Sequence, residues 1–372
     1  MIVLVYQSFM INVDYGTNQI IGAIREGSIL RVRRAPLTVL ATAISHLFGA
    51  SVGREGAALQ VGGSLGVGIA KIFHVSPKTK KVLIMAGMSA CFQALFNTPL
   101  TASIFSIELI TVGVLYYSAL LPCIIASFSS YILCKILTEH VFTSLVKYLK
   151  YSEEVFHLAD LPSFVSINAL WAILIPLSIA ILSILFILML KYSEFFVETF
   201  IKNPYVRIVF FSLVIVLLLM MFDNNCNTYS GAGANLIEES LENTNQIHYY
   251  TFILKIMFTV IAVAIGFKGG EIVPALAIAA TFGVVIHKIT HINLDLCVSI
   301  SVVSMFCCIT NCPIASILIG LELFSVSQDN LVNAIAFFSI ASAISYVSSG
   351  YFGLYKSQTF RNSKYMFDTE KI

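Results

Sequence analysis

Apolar residues are gathered along this chain into blocks separated by short polar stretches. The blocks are Leu37–Phe48, Val82–Leu95, Leu170–Leu190, Ile208–Phe222, Phe252–Phe267, Val298–Ile309 and Leu331–Val347. They predict helices, and several reach the roughly 17–25 residues needed to cross a bilayer. Others are too short to cross, or are broken by Gly and Pro. Such segments are tolerated at membrane depth only where the freed backbone groups face protein or a wet cavity. The pattern predicts an all-α membrane protein with broken, re-entrant helices, and hints at a transport pathway.

Composition agrees. The chain is 58% hydrophobic and 11% charged, with mean hydropathy +0.88, against about 25% charged for a soluble domain. A net charge of +2 argues for nothing about nucleic acid, and without a basic block with interleaved aromatics no nucleic-acid partner is expected. Arg31, Arg33 and Arg34 precede one apolar segment, and Lys78, Lys80 and Lys81 follow the next broken one. Two crossings separate the clusters, so they share one side, which the positive-inside rule makes cytoplasmic. The eight cysteines lie mostly inside apolar runs with no CxxC, and the seven histidines include no HExxH. No metal site, cofactor or enzymatic nucleophile–base set is expected, and Ser51 and His46 read as packing. No cleaved signal is expected at the N-terminus.

Comparing the chain with itself organises it. Gly16-Thr17-Asn18-Gln19-Ile20 matches Gly233-Ala234-Asn235-Leu236-Ile237 at an offset of 233 − 16 = 217, which also pairs Gly53 with Gly270 and Gly66 with Gly283. At offset 311 − 97 = 214, Asn97-Thr98-Pro99-Leu100 pairs with Asn311-Cys312-Pro313-Ile314, ending with Glu108-Leu109 against Glu322-Leu323. The chain therefore reads as two homologous membrane halves, 1–147 and 161–355, with a linker at 148–160 and a short polar tail at 356–372. Duplicated halves with matching broken helices suit a site at the repeat interface. Counting irregular crossings leaves open whether the repeat is parallel or inverted.

Each half carries a glycine-rich turn entering an apolar helix: Gly53-Arg54-Glu55-Gly56 and Gly269-Gly270-Glu271-Ile272-Val273-Pro274. Glycines let backbone N–H groups converge without interference from Cβ. A helix N-terminus adds unpaired donors and a positive partial charge of roughly half a unit. Several such ends meeting at mid-membrane hold an anion without a full cation, so release stays possible. Glu55 is the anomaly, because an intramembrane acid is costly and marks a functional site by default. As a carboxylate it can compete with the anion, and when protonated it can leave. Glu271 is a second such acid. The blander reading has Glu55 capping its helix and pairing with Arg54 or Lys268 at the surface.

These motifs resemble those of the CLC family of anion channels and proton-coupled antiporters. Gly53-Arg54-Glu55-Gly56 matches the GREGP signature with Ala57 for the proline. Phe96-Asn97-Thr98-Pro99-Leu100 through Glu108 looks like the FNxPLxxxxFxxE helix, Gly269–Pro274 stands at the GxFxP turn, and Gly353-Leu354-Tyr355 resembles the pore-tyrosine segment. The resemblance covers about 10–360 and implies a CLC-like bundle of two halves in a bacterial-type plasma membrane. It makes Glu55 the external gate, with Glu271 beside it in proton coupling. Anion contacts would come from Gly53, Arg54, Gly56, Gly270, Ile272, Val273, Tyr355, Tyr15, Gly16 and Asn18. It also implies a lipid-embedded homodimer, with fluoride or chloride and protons as partners.

The departures are informative. Tyr15-Gly16-Thr17-Asn18-Gln19 replaces GSGIP, so its serine is lost, and Glu271-Ile272 replaces the phenylalanine turn. Both are similar to the fluoride/proton antiporter branch. Val273 stands where that branch has a threonine, and Leu109 where chloride exchangers carry an inner proton glutamate. Only about 15 residues precede Gly16, so the chain reads as shortened at its start, and no paired nucleotide-binding (CBS) domains are expected after Tyr355. Fluoride/proton antiport leads. A chloride channel or chloride/proton exchanger is the alternative, and a non-transporting remnant the second.

Overall fold

The apolar blocks fold as helices whose ends are set by a few special residues. The computed structural model describes residues 16–141, 156–158, 161–164, 168–222, 228–242, 244–361 and 364. The first half holds α1 (Gly16–Arg25), α2 (Arg34–Leu47), α3 (Glu55–Ile72), α4 (Pro77–Phe96), α5 (Pro99–Glu108) and α6 (Leu120–Ile136). The second begins with α7 (Asn168–Phe200) and α8 (Pro204–Phe222), which have no counterparts among the described residues of the first. It then repeats the series as α9 (Ala234–Glu242), α10 (Thr251–Ala264), α11 (Ile272–Thr290), α12 (Leu294–Thr310), α13 (Pro313–Leu323) and α14 (Leu331–Ser348).

The breaks follow from sequence. Asn97 and Asn311 adopt left-handed φ of 57° and 58° and end α4 and α12. Asparagine tolerates that conformation at a helix C-terminus. Pro99 and Pro313 then stand in the first turns of α5 and α13, where a missing N–H costs nothing. The two short helices are thereby cut off from the long ones before them.

Glycines decide how closely α3 and α4 cross. A Cβ on Gly62 would strike the Gly87 carbonyl oxygen, and one on Gly87 the Gly62 carbonyl oxygen. The two helices therefore pack backbone to backbone, as small residues permit within membranes. In the second half a Cβ on Gly283 would lie 2.8 Å from the Cys297 carbonyl oxygen, repeating the crossing between α11 and α12.

Among the described residues, five helices are long and apolar enough to span a bilayer: Tyr117–Glu139, Ala169–Phe200, Tyr205–Phe222, Ile272–Thr290 and Gln328–Ser348. The first and third are only 11% buried inside the protein, whereas Ile272–Thr290 is 72% buried, so the former turn their apolar sides outward and the latter lines the interior. The apolar runs miss Tyr117–Glu139, because Pro122, Ser127, Ser129, Ser130 and Lys135 interrupt its hydrophobicity. Lys81 Nζ donates to the Arg25 carbonyl at 3.2 Å, bringing the lysine cluster to the end of α1. This fits a shared side for the two basic clusters.

Among the described residues, four two-residue strands tie the connections down. β1 (Thr111–Val112) pairs in parallel with β4 (Thr359–Phe360), and β2 (Phe156–His157) with β3 (Phe324–Ser325). Residues 156–158 of the polar linker are therefore anchored, with the Phe156 ring tilted against that of Phe324 at 6.2 Å between centroids; its other residues lie outside the described ones. Nor is the start of the polar tail loose. Buried Gln358 donates through Nε2 to the Leu109 and Thr310 carbonyls, each at 2.8 Å.

Candidate functional site

The two glycine turns meet. Gly53 N–H donates to Gly270 O at 2.7 Å and Gly270 N–H to Gly53 O at 2.9 Å, a reciprocal antiparallel bridge between repeat mates. Only glycine permits it. A Cβ on Gly270 would lie 2.5 Å from Glu55 Cδ and 2.7 Å from Gly56 N, and one on Gly53 would strike the Glu55 carboxylate. The bridge sets the N-termini of α3 and α11 side by side.

Glu55 is the first residue of α3, yet its carboxylate serves the other half. Oε1 accepts the Val273 N–H at 2.7 Å, at the start of α11, and the side chain is wholly buried. The surface-cap reading is thus overturned, because Arg54 is exposed at the rim while Glu55 points inward. A carboxylate on the free donors of a helix N-terminus occupies a ready anion site. Here the protein's own anion fills that position.

The other candidates lie in different places. Gly53, Gly56, Gly270, Ile272 and Val273 are all buried around the bridge, and there Val273 offers its backbone N–H. Glu271 sits at the N-cap of α11, partly buried, within range of the Lys268 charge. Tyr355 is buried within electrostatic range of both Glu55 and Glu271. Its segment is held by the Leu354 N–H donating to Ile309 O at 2.9 Å. Gly16 opens α1 with a left-handed φ of 34°, while the Asn18 side-chain oxygen accepts the Ser357 N–H at 3.0 Å. Asn18 thus fastens the C-terminal segment. Tyr15 lies outside the described residues.

Two residues near the site escape motif reading. Thr17, between Gly16 and Asn18, is buried with its hydroxyl beside Gly56. Lys255 on α10 is fully buried and donates to the Tyr229 and Gly231 carbonyls at 3.1 and 3.0 Å. A cation inside the apolar run Phe252–Phe267 was the signal available for it. Among the described residues no His, Cys, Asp and Glu group could hold a metal.

The sequence profile of the voltage-gated chloride channels matches residues 1–346. The chain belongs to that family, the CLC family. A "Chloride/fluoride channel protein" from Pseudomonas syringae pv. tomato is 30% identical over 362 residues, covering 95% of this chain and 75% of its own length. The crystal structure of a CLC-type fluoride/proton antiporter superposes with TM-score 0.84 at 28% identity, covering 96% of this chain and 86% of that one. A slow cyanobacterial Cl⁻/H⁺ antiporter shares the fold at TM-score 0.72 and 17% identity, covering 89% and 76%. As a CLC protein with several apolar spanning helices, the chain is a multi-pass integral membrane protein of the bacterial plasma-membrane type that transports anions.

Proposed function

We propose that this protein exchanges fluoride for protons across the membrane. The observation that carries the reading is the Glu55 carboxylate on the Val273 N–H, buried between two glycine turns. Deprotonated, it occupies the donors an incoming anion needs. Protonated, it loses its charge and its hold on the helix end, and the anion takes its place. Anion and proton then alternate at one position, which is what coupled exchange requires.

Fluoride is favoured by Glu271 in the turn, by the lost GSGIP serine, and by the two relatives whose names mention fluoride. Val273 favours chloride, since its side chain offers no hydroxyl. A homodimer with one pathway per subunit, bathed by lipid at its exposed apolar helices, completes the proposal. Liposomes loaded with equal fluoride and chloride test it, with efflux of each anion and the pH followed together. Fluoride efflux well ahead of chloride, with coupled proton movement, supports antiport; equal effluxes contradict the fluoride assignment.

A further inference from the structure

We propose that Gln358 is a positioning residue whose side-chain amide fixes Tyr355 against both halves of the protein. The inference rests on the fluoride/proton reading above and on the place at the anion that family resemblance gives Tyr355.

Three observations carry it. The first is a fork of hydrogen bonds. Gln358 Nε2 donates to Leu109 O, just past the end of α5 in the first half, and to Thr310 O, at the end of α12 in the second, each at 2.8 Å. Carbonyls at helix C-termini have no partner within their own helix, and away from water they need one. One buried amide thus ties together two helix ends from opposite halves. The backbone N–H of Gln358 donates to Tyr355 O at 3.1 Å, so the same residue closes the turn that begins at the tyrosine.

The second is the backbone around Tyr355. Residues 351–360 form turns and the two-residue β4 but no helix, so no ladder of helical bonds sets the place of the tyrosine. Its position comes from anchors on either side. The Leu354 N–H meets Ile309 O at 2.9 Å before it, and the Gln358 fork follows it. Ser357 is held as well, by Asn18 and Arg25 of α1, which belong to the first half alone. A side chain that acts on a ligand has to be held within about 0.5 Å by supporting bonds of this kind.

The third is internal to the chain. Thr111 and Ser325 are repeat mates, at 325 − 111 = 214. Thr111 pairs with Thr359 and Ser325 with His157, so the structural mate of Gln358, one residue earlier on its strand, is Phe156. Phe156 is equally buried and packs its ring on Phe324. A strand pair of this kind therefore forms with an apolar residue at that position, and folding does not demand a buried amide. What separates the two positions is the tyrosine: Gln358 follows Tyr355, which lies within electrostatic range of Glu55 and Glu271.

The test compares Gln358→Leu, apolar like the repeat mate, with Tyr355→Phe, which removes the hydroxyl, and with the two combined. Gln358→Met, which is more pliant, replaces Gln358→Leu if that variant does not fold. Each is purified, checked as monodisperse, and reconstituted beside the wild type for fluoride and chloride efflux. A misplacement of about 1 Å can cost up to 10²-fold, and the fluoride KM is expected to rise about tenfold in Gln358→Leu. Added to Tyr355→Phe, the same change should move KM by less than about twofold, because both act through one side chain, whereas independent sites add. A wild-type KM in folded Gln358→Leu overturns the proposal, since a tie that only staples the tail would lower stability and leave KM alone. So does full multiplication of the two effects in the double variant. A wild-type KM in Tyr355→Phe would instead sink the place of Tyr355 at the anion, and with it this refinement. Wild-type protein that moves chloride but no fluoride would sink the antiport reading alone, and the same comparison would then be read on the chloride KM.

Discussion

Glu108 and Glu322 cap each other's helices. Glu108, closing α5, accepts the Ile314 and Ala315 N–H groups at 3.0 and 2.8 Å, where α13 begins. Glu322, closing α13, accepts the Leu100 and Thr101 N–H groups at 2.9 and 2.7 Å, where α5 begins. Offset 214 turns one set into the other. Two helices that cap each other end to start run antiparallel, so the halves are related by a two-fold across the helices. The Gly53–Gly270 bridge obeys the same relation. The question left by counting crossings is thereby answered as an inverted arrangement.

These caps differ in burial, which orders their worth. Glu108 is 5% exposed, whereas Glu322 is half-buried and also holds the Thr101 hydroxyl. Removing a buried carboxylate leaves its backbone donors without water, at about 1–3 kcal/mol per orphaned group. Glu108→Ala should cost about 2–4 kcal/mol of stability and Glu322→Ala about 1–2. Chemical unfolding in detergent reads the order, and a larger loss for Glu322→Ala would contradict it.

Gly270→Ala probes the glycine bridge. The new methyl would press on Glu55 Cδ, 2.5 Å away, and on the Gly56 backbone. Overpacking of this kind costs about 1–3 kcal/mol and must displace something. The softest element is the Glu55 side chain, so it should leave the Val273 N–H. Anion efflux at neutral pH should become less dependent on acidification than in wild type. Unaltered pH dependence with wild-type stability would show that the turn absorbs the methyl.

Lys255→Met separates charge from packing. The substitution deletes two bonds to the Tyr229 and Gly231 carbonyls. It also removes the cost of burying an ammonium, so the effects oppose. Charge-assisted bonds contribute about 1.5–3 kcal/mol each, and with both satisfied the loss should win by about 1–2 kcal/mol. A lowered thermal midpoint is expected. A midpoint at or above wild type would mean that burying the cation costs more than its bonds return.

Much of this was legible in the residues. The Asn-x-Pro breaks declare themselves, because asparagine stops one helix and proline starts the next. The glycine turns announce a close approach, and Glu55 stands out as an acid amid apolar sequence. Partners were not legible. That Glu55 reaches across to Val273 depends on the bridge, a contact between residues 217 positions apart (270 − 53). Thr17 escaped because a threonine among polar neighbours carries no periodic signal, and its place beside Gly56 is visible only in three dimensions. Tyr117–Glu139 escaped because its serines interrupt the hydrophobic run, and the partner that satisfies one of them, the Ala90 carbonyl of α4 that accepts from Ser130 at 2.9 Å, is visible only in the fold.

Glu55→Gln in liposomes tests the central claim most directly. Glutamine keeps the shape but carries neither negative charge nor transferable proton. With a fluoride gradient imposed, wild-type protein should drive protons against the anion flow, and the variant should show no proton signal. Proton movement that persists in Glu55→Gln at the wild-type ratio would contradict the claim that Glu55 exchanges places with the anion.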